Sequence, residues 1–458
     1  MKKAGRATTR TSVRGKRAAK TATAPPAAAE PQQSSEEGLE ALASRLGPGL
    51  ITGAADDDPS GIATYSQAGA QFRFALVWTL LVTTPLMIGI QMLSARIGWA
   101  TGHGLATNID KMCPRWLTVT LVSMLVIANT INIAADVGAM AEALKLIVGG
   151  PQPLYVLAFG AVCIVAQVLF SYERTVRILK WLTLTVFAYV AVVLAVGVPW
   201  RQALLESIQP WAFLPAATSL KEYAAMVVAV LGTTISPYLF FWQATQEVED
   251  GRRRPETQAL RRHKAYASEH LSRIKQDTVV GMGVSNVVAL SIVLATAVTL
   301  NAHGITDIQT SAQAAEALRP VAGEFAFLVF GLGIIGTGLL AVPVLAGSAA
   351  YAVSELFGWK AGLSRGFQEA RGFYLIIIAA TGIGSAMGFL AVDPIRALVL
   401  SAIINGVISV PIMVVLMMIG QSKQMMGKFT ISARHRVLGW GATGLMAGAV
   451  AVMFVTAL

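Results

Sequence analysis

Apolar stretches long enough to cross a bilayer recur from about residue 47 to the end of this chain, and that recurrence leaves few folds open. A span needs roughly 20 mostly apolar residues. Eleven candidates are read, at 47–66, 74–99, 118–147, 153–170, 178–199, 223–245, 278–301, 323–355, 373–391, 395–419 and 436–457. The composition fits lipid: 55% of the 458 residues are hydrophobic, only 13% are charged, and mean hydropathy is +0.61. The expectation is an all-α membrane protein of eleven transmembrane helices, of which the third and eighth are long enough to tilt or protrude.

The net charge of +11 is unevenly spread. Nine Lys or Arg lie in residues 1–45, and a second cluster including Arg252, Arg253, Arg254, Arg261 and Arg262 lies between the sixth and seventh spans. With the N-terminus in the cytoplasm, all but Arg73, Lys145, Arg201, Lys221, Arg319 and Arg396 of the 36 basic residues are inside, as the positive-inside rule expects. An odd number of spans then leaves the C-terminus outside, in a plasma membrane of bacterial inner-membrane type.

Residues 1–45 are rich in Ala, Thr, Pro, Ser and Gln without apolar period, so they read as a disordered basic cytoplasmic tail near anionic lipid rather than a nucleic-acid arm. No cleavable signal is evident. Cys113 and Cys163 indicate neither a disulfide framework nor a thiolate metal site.

Two segments break the apolar pattern at comparable depth. In the first span, Asp56, Asp57 and Asp58 precede Pro59, Ser60 and Gly61. An ionised group at bilayer depth costs at least ~3 kcal/mol and usually faces a cavity, an ion path or a partner. In the sixth, Gly232 to Tyr238 (GTTISPY) interrupts the run, and Pro237 frees carbonyls one turn earlier. Interrupted helices at matching positions of two halves point to a transporter with inverted repeats and a midplane ion site. That predicts a first repeat over 46–210 (spans 1–5), a second, inverted, over 211–420 (spans 6–10), and an added span over 421–458.

Several ordered motifs carry a resemblance. Gly47-Pro48-Gly49, Asp58-Pro59-Ser60-Gly61 and Gln67-Ala68-Gly69-Ala70 resemble the first helix of the Nramp divalent-metal transporters, where an Asp-Pro-Gly-Asn motif is similarly flanked. Gln91, Leu93-Ser94-Ala95-Arg96, Gly98 and Ala100-Thr101-Gly102 resemble the family's second helix, Tyr172-Glu173-Arg174 its fourth connection, and Gly336 to Gly347 its eighth helix. The resemblance spans about 45–420 and implies a LeuT-type fold. It implies metal ligands at Asp58 and at the backbone carbonyls of Ala55 and Thr233.

The departures are informative. The motif's Asn falls on Gly61, and the family's sixth-helix Met-Pro-His falls on Ser236-Pro237-Tyr238. In the third span Asp136 matches a family Asp, but the Glu used in proton movement three residues on is Ala139. Thioether sulfur favours softer transition metals, whereas carboxylate, carbonyl and water suit Mg²⁺ and Mn²⁺. Small Gly61 and Ser236 leave room for a shell of retained water. The pattern resembles the Nramp-related magnesium transporters, which implies carriage of Mg²⁺ and Mn²⁺ without proton coupling.

The expected metal set is therefore Asp58, Asp57, Ala55, Gly61, Thr233 and Ser236, with Asp56, Ser60, Thr234, Tyr238, Asp136, Asp277 and Asn405 as transport-path candidates. Asp58 has the alternative of serving only to cap the broken helix. Neighbours turned by ~100° each cannot aim at one point, so Asp56 and Asp57 are expected to line a vestibule or hold waters. A proton-coupled Mn²⁺/Fe²⁺ importer and a sodium-coupled organic-solute carrier of the same fold are the competing readings. No cofactor, no obligatory protein partner, no nucleic acid and no enzymatic activity are expected; the partners are the transported divalent ion and the bilayer.

Overall fold

A computed structural model of the chain describes residues 52–53, 55–169, 184–213, 219–253, 264–389 and 393–457, and every regular element among them is helical. The basic tail, the Tyr172-Glu173-Arg174 motif and most of the Arg252–Arg262 cluster lie outside these residues.

The first break begins a helix. Thr52–Gly53 and Ala55–Asp56 are helical, the turn opens at Asp57 and Asp58, and α1 runs Pro59–Phe72. Pro59 suits the first helical position, where the missing N–H would have no partner and φ is already helical. The helix extends past the expected end at 66 and stops at Arg73, a non-glycine with φ of 53°. Glu206 holds that turn by an ion pair to Arg73 (3.6 Å) and by accepting from the Phe74 amide (3.4 Å).

The helices that follow are α2 (Val77–Thr101), the short α3 (Leu105–Met112), α4 (Arg115–Val148) and α5 (Gln152–Leu169). Next come α6 (Ala188–Ala195) and α7 (Trp200–Ile208), parts of one segment bent by 108°. The second break separates α8 (Leu220–Thr234), opened by a Ser219–Glu222 capping box, from α9 (Pro237–Arg253). Long α10 (Lys264–Thr299) and α11 (Ala326–Phe357), α12 (Arg371–Met387), α13 (Pro394–Gln421) and α14 (Ala433–Ala457) complete the set.

Eight of the described helical segments are long and apolar enough to cross a membrane, or nine with the bent pair as one span. The expected count of eleven is thus not reached by length and composition. The broken first span gives α1 only 14 residues, and α12 has 17.

Burial separates centre from rim. The apolar window of α8–α9 is 94% buried inside the protein, against 22% for α14. Helix α14 packs on the outside of α2, α8 and α13. Polar contacts sort the helix ends into two sets. At one end Arg96 donates to the Phe429 and Thr430 carbonyls (2.9 and 3.1 Å), and Arg273 pairs with Glu247 (3.1 Å). At the other, Gln67 donates to the Thr306 carbonyl (3.2 Å) and Arg396 meets Asp307 (3.5 Å).

Between α8 and α13 the backbones touch. A Cβ on Gly232 would overlap the Ala402 carbonyl and lie 2.6 Å from the Gly406 amide nitrogen. Small residues allow such approaches in membrane helices. Gly232→Val is therefore expected to lower the apparent Tm in detergent by the equivalent of ~1–3 kcal/mol, the usual range for overpacking. Gly138→Ala, which enters open space, should leave Tm unchanged or higher; equal losses for both would contradict this packing.

Candidate metal site

The two breaks face each other. Asp58, in extended conformation (φ −70°, ψ 170°), caps α1: its Oδ1 accepts from the Gly61 amide at 2.7 Å. Its Oδ2 turns inward, accepting from Asn132 Nδ2 at 3.1 Å and lying 3.4 Å from the Tyr238 hydroxyl. The same hydroxyl donates to the Ala55 carbonyl at 3.1 Å. Carboxylate, carbonyl and phenol thus meet across spans one and six, on the α1–α8 contact. There a Cβ on Gly61 would stand 3.1 Å from Thr233 Oγ1 and 3.3 Å from the Asp56 carbonyl. The missing side chain at 61 serves close approach of the two broken helices.

The carbonyls freed by the second break are occupied locally. Ser236 Oγ donates to the carbonyls of Gly232 (2.8 Å) and Thr233 (2.9 Å), and Ser409 donates to that of Ile235 (2.8 Å). Thr234 bonds back to Val230 and Leu231 of its own helix (2.9 and 3.2 Å). Such back-bonding satisfies a buried hydroxyl without turning it toward a neighbour.

Asp56 and Asp57 go elsewhere. Both accept from one hydroxyl on α10, Ser285 Oγ, at 2.7 and 3.1 Å, and Asp56 Oδ1 is buried without a hydrogen-bond partner. Asp57 is the most exposed of the three acids, at 9% against 1% and 2%. Asp136 on α4 is fully buried, and neither carboxylate oxygen makes a geometric hydrogen bond, though Asp58 and the Ser60 amide lie within electrostatic reach. Ser60 Oγ donates to the Leu398 carbonyl (3.1 Å) and touches Ser401 Oγ (3.2 Å). Asp277 is buried ~12 Å along α10 from Ser285, and Asn405 one turn (~6 Å) beyond Ser401 on α13. No group of three or more His, Cys, Asp or Glu side chains among the described residues is arranged to hold a metal ion.

A sequence model of Nramp, described as natural resistance-associated macrophage protein-like, matches residues 49–456. The chain belongs to the Nramp family. It is a multi-pass membrane transporter, not an enzyme. Among similar proteins is the divalent metal cation transporter MntH of Klebsiella pneumoniae, 25% identical over 405 residues covering 86% of this chain and 90% of that one. The MntH of Caldanaerobacter subterraneus is 24% identical over 419 residues, covering 86% and 88%. Among solved structures, a manganese transporter of Eremococcus coleocola aligns with a TM-score of 0.67 at 17% identity, over 93% of this chain and 88% of its own. MhsT in complex with L-phenylalanine aligns at 0.56 and 14% identity, over 90% and 98%. The last two likenesses establish the fold, the LeuT-type arrangement built on broken helices.

In this Nramp chain, three residues beside the acids escaped the sequence reading: Asn132, Ser285 and Ser401. Asn132 is central, since its Oδ1 accepts from Ser401 (2.7 Å) while its amide holds Asp58. A signal existed in Asn129, Asn132 and Asp136, polar residues spaced to share one face of an apolar helix. Ser285 and Ser401 are single hydroxyls with none. A cavity of about 800 Å³, lined in part by Ala134, Gly138, Glu142, Lys145 and Leu400, opens on the other face of α4, turned away from Asp58.

Asn132→Leu removes both bonds at nearly constant volume and should cost ~1.5–3 kcal/mol, the range for a hydrogen bond to a charged group. Thr130→Val, whose hydroxyl only bonds back to Val126 (2.8 Å), should stay within ~0.5 kcal/mol. Thermal unfolding in detergent compares them.

Proposed function

We propose that this chain carries divalent metal cations, Mg²⁺ first and Mn²⁺ second, by facilitated uptake through alternating access without coupled protons. Family membership and the divalent metal and manganese transporters among its relatives support the ion class. The observation that carries the finer reading is the donor set around Asp58. The Asp58 carboxylate and the Ala55 carbonyl are hard oxygens, and the groups that donate to them, the Asn132 amide and the Tyr238 hydroxyl, bring no sulfur or imidazole beside them. Such a set does not discriminate against Mg²⁺, which keeps several waters and binds through one or two carboxylates. Asp57, slightly exposed, and Asp56 would hold waters of that shell through the Ser285 corner.

Entry needs no second ion. A divalent cation gains ~4.6 kcal/mol per 100 mV on moving to a negative interior. We also read 46–210 and 211–420 as inverted repeats with 421–458 added, and the chain as a bacterial inner-membrane protein with cytoplasmic N-terminus and outer C-terminus. The arginine-rich span ends support that orientation. One observation favours proton coupling instead: Asp136 is buried beside Asp58, with the Ser60 amide in reach of its carboxylate and no cationic group named beside it.

Purified protein in liposomes with a Mg²⁺ dye and a pH dye separates the two. Metal entry without lumen acidification is expected, and Asp58→Ala should abolish it; matched proton flux would sink the uncoupled reading. Ser236→Met loses the hydroxyl that bonds back to Gly232 and Thr233 and sets a soft thioether at the second break, so it should raise selectivity for Mn²⁺ over Mg²⁺.

A further inference from the structure

Tyr238 has one hydroxyl hydrogen and two acceptors within reach, the Ala55 carbonyl at 3.1 Å and Asp58 Oδ2 at 3.4 Å. Both acceptors are groups assigned above to the cation. The ring is 1% exposed, held in the first turn of α9. A cation that binds the Ala55 carbonyl and Asp58 competes with this hydroxyl for the same two oxygens, whereas the Gly61 amide bonds the other carboxylate oxygen.

We infer that the Tyr238 hydroxyl is the placeholder of the unloaded carrier: it occupies the cation's acceptors when the ion has left and gives them up when the next one binds. The inference rests on the uncoupled-carrier reading and says how that carrier returns. A carrier that brings no proton or sodium back must reorient with Asp58 empty. A buried acceptor left without a partner costs the full desolvation penalty, more for a charged group than a neutral one. A phenol supplies a hydrogen bond but no charge, so it relieves that penalty and competes only weakly with a divalent ion. Asn132 helps at Asp58 but does not reach Ala55 in the contacts it makes; Tyr238 serves both.

Removing the hydroxyl should therefore act in opposite directions on binding and on return. Tyr238→Phe in the full chain is expected to bind Mn²⁺ about five-fold more tightly, the effect of one lost competing hydrogen bond. Net uptake of Mn²⁺ into metal-free liposomes, which needs empty return, should fall at least about five-fold by the same arithmetic. Exchange against Mn²⁺-loaded liposomes, in which only the loaded carrier reorients, should stay near wild type. Unchanged or weaker binding overturns the inference, and so does a parallel fall of net uptake and exchange. Should the Phe variant not fold, 3-fluorotyrosine at 238 gives the same answer: its ¹⁹F resonance should move on adding Mg²⁺, and a fixed resonance would overturn the inference. Asp58→Ala, run beside these, separates the failures. If it binds and transports normally, the site reading itself is wrong; if it is dead while Tyr238→Phe behaves as wild type, only the placeholder falls.

Discussion

Every helix broken inside a membrane must find partners for the backbone groups it frees, because lipid offers none. That constraint organises the centre of this protein. At the first break Asp58 takes up the Gly61 amide, and the Ala55 carbonyl receives the Tyr238 hydroxyl. At the second, Ser236 and Ser409 cover the carbonyls of Gly232, Thr233 and Ile235. The two are unlike in consequence. The second break is closed by hydroxyls that bond neutral carbonyls, whereas the first is closed with a carboxylate whose inward oxygen is held by side chains from other helices. Of the two breaks, the first is the one that carries a charged oxygen.

The surrounding helices serve that asymmetry. Asn132 on α4 and Ser401 on α13 form a chain from Asp58 to Ser60, so a change at the carboxylate is felt by three helices. Contacts of backbone on backbone, as at Gly232 and Gly406, keep α8 and α13 fixed relative to each other. Coupling in packed interiors passes through such discrete contacts rather than through smooth deformation. The peripheral α14, mostly uncovered by protein, sits outside this chain.

Much of this was legible in the sequence. Lipid exposure demands long apolar runs, so most spans announced themselves within a few residues. Breaks need Pro or Gly beside polar residues, so Asp58-Pro59 and Ser236-Pro237 stood out. What was not legible depends on direction. Ser236, at the family's Met position, was expected among the ligands and Thr234 along the path, but a hydroxyl one turn past a free carbonyl is satisfied most cheaply by its own helix, and both turn back. Gly61 read as space for water; the structure uses it to bring Thr233 close. Asn132 was overlooked because the eye follows charge, while its role comes from lying a turn before Asp136 on the same helical face. The bend at α6–α7 has no strong marker beyond Gly197 and Pro199.

A carboxylate that must both attract a cation and survive its departure poses the harder problem for such a carrier. Strong, unopposed ligands would bind well and then strand the empty site, since an ionised group alone in low dielectric is costly. Weak ligands would reorient freely but load poorly. On the proposed reading, neutral donors on Asp58 resolve the conflict because their strength lies between those limits: a hydrogen bond to a carboxylate is worth a few kcal/mol at most, far less than a divalent ion offers the same oxygen at contact distance. Replacing an imidazole by a phenol at 238 moves in this direction. Imidazole can carry a proton and so bring charge to the empty site; a phenol brings only a dipole. On the proposed uncoupled reading, a phenol at the mouth of α9, where the family motif has an imidazole, gives the empty site a hydrogen bond and no charge.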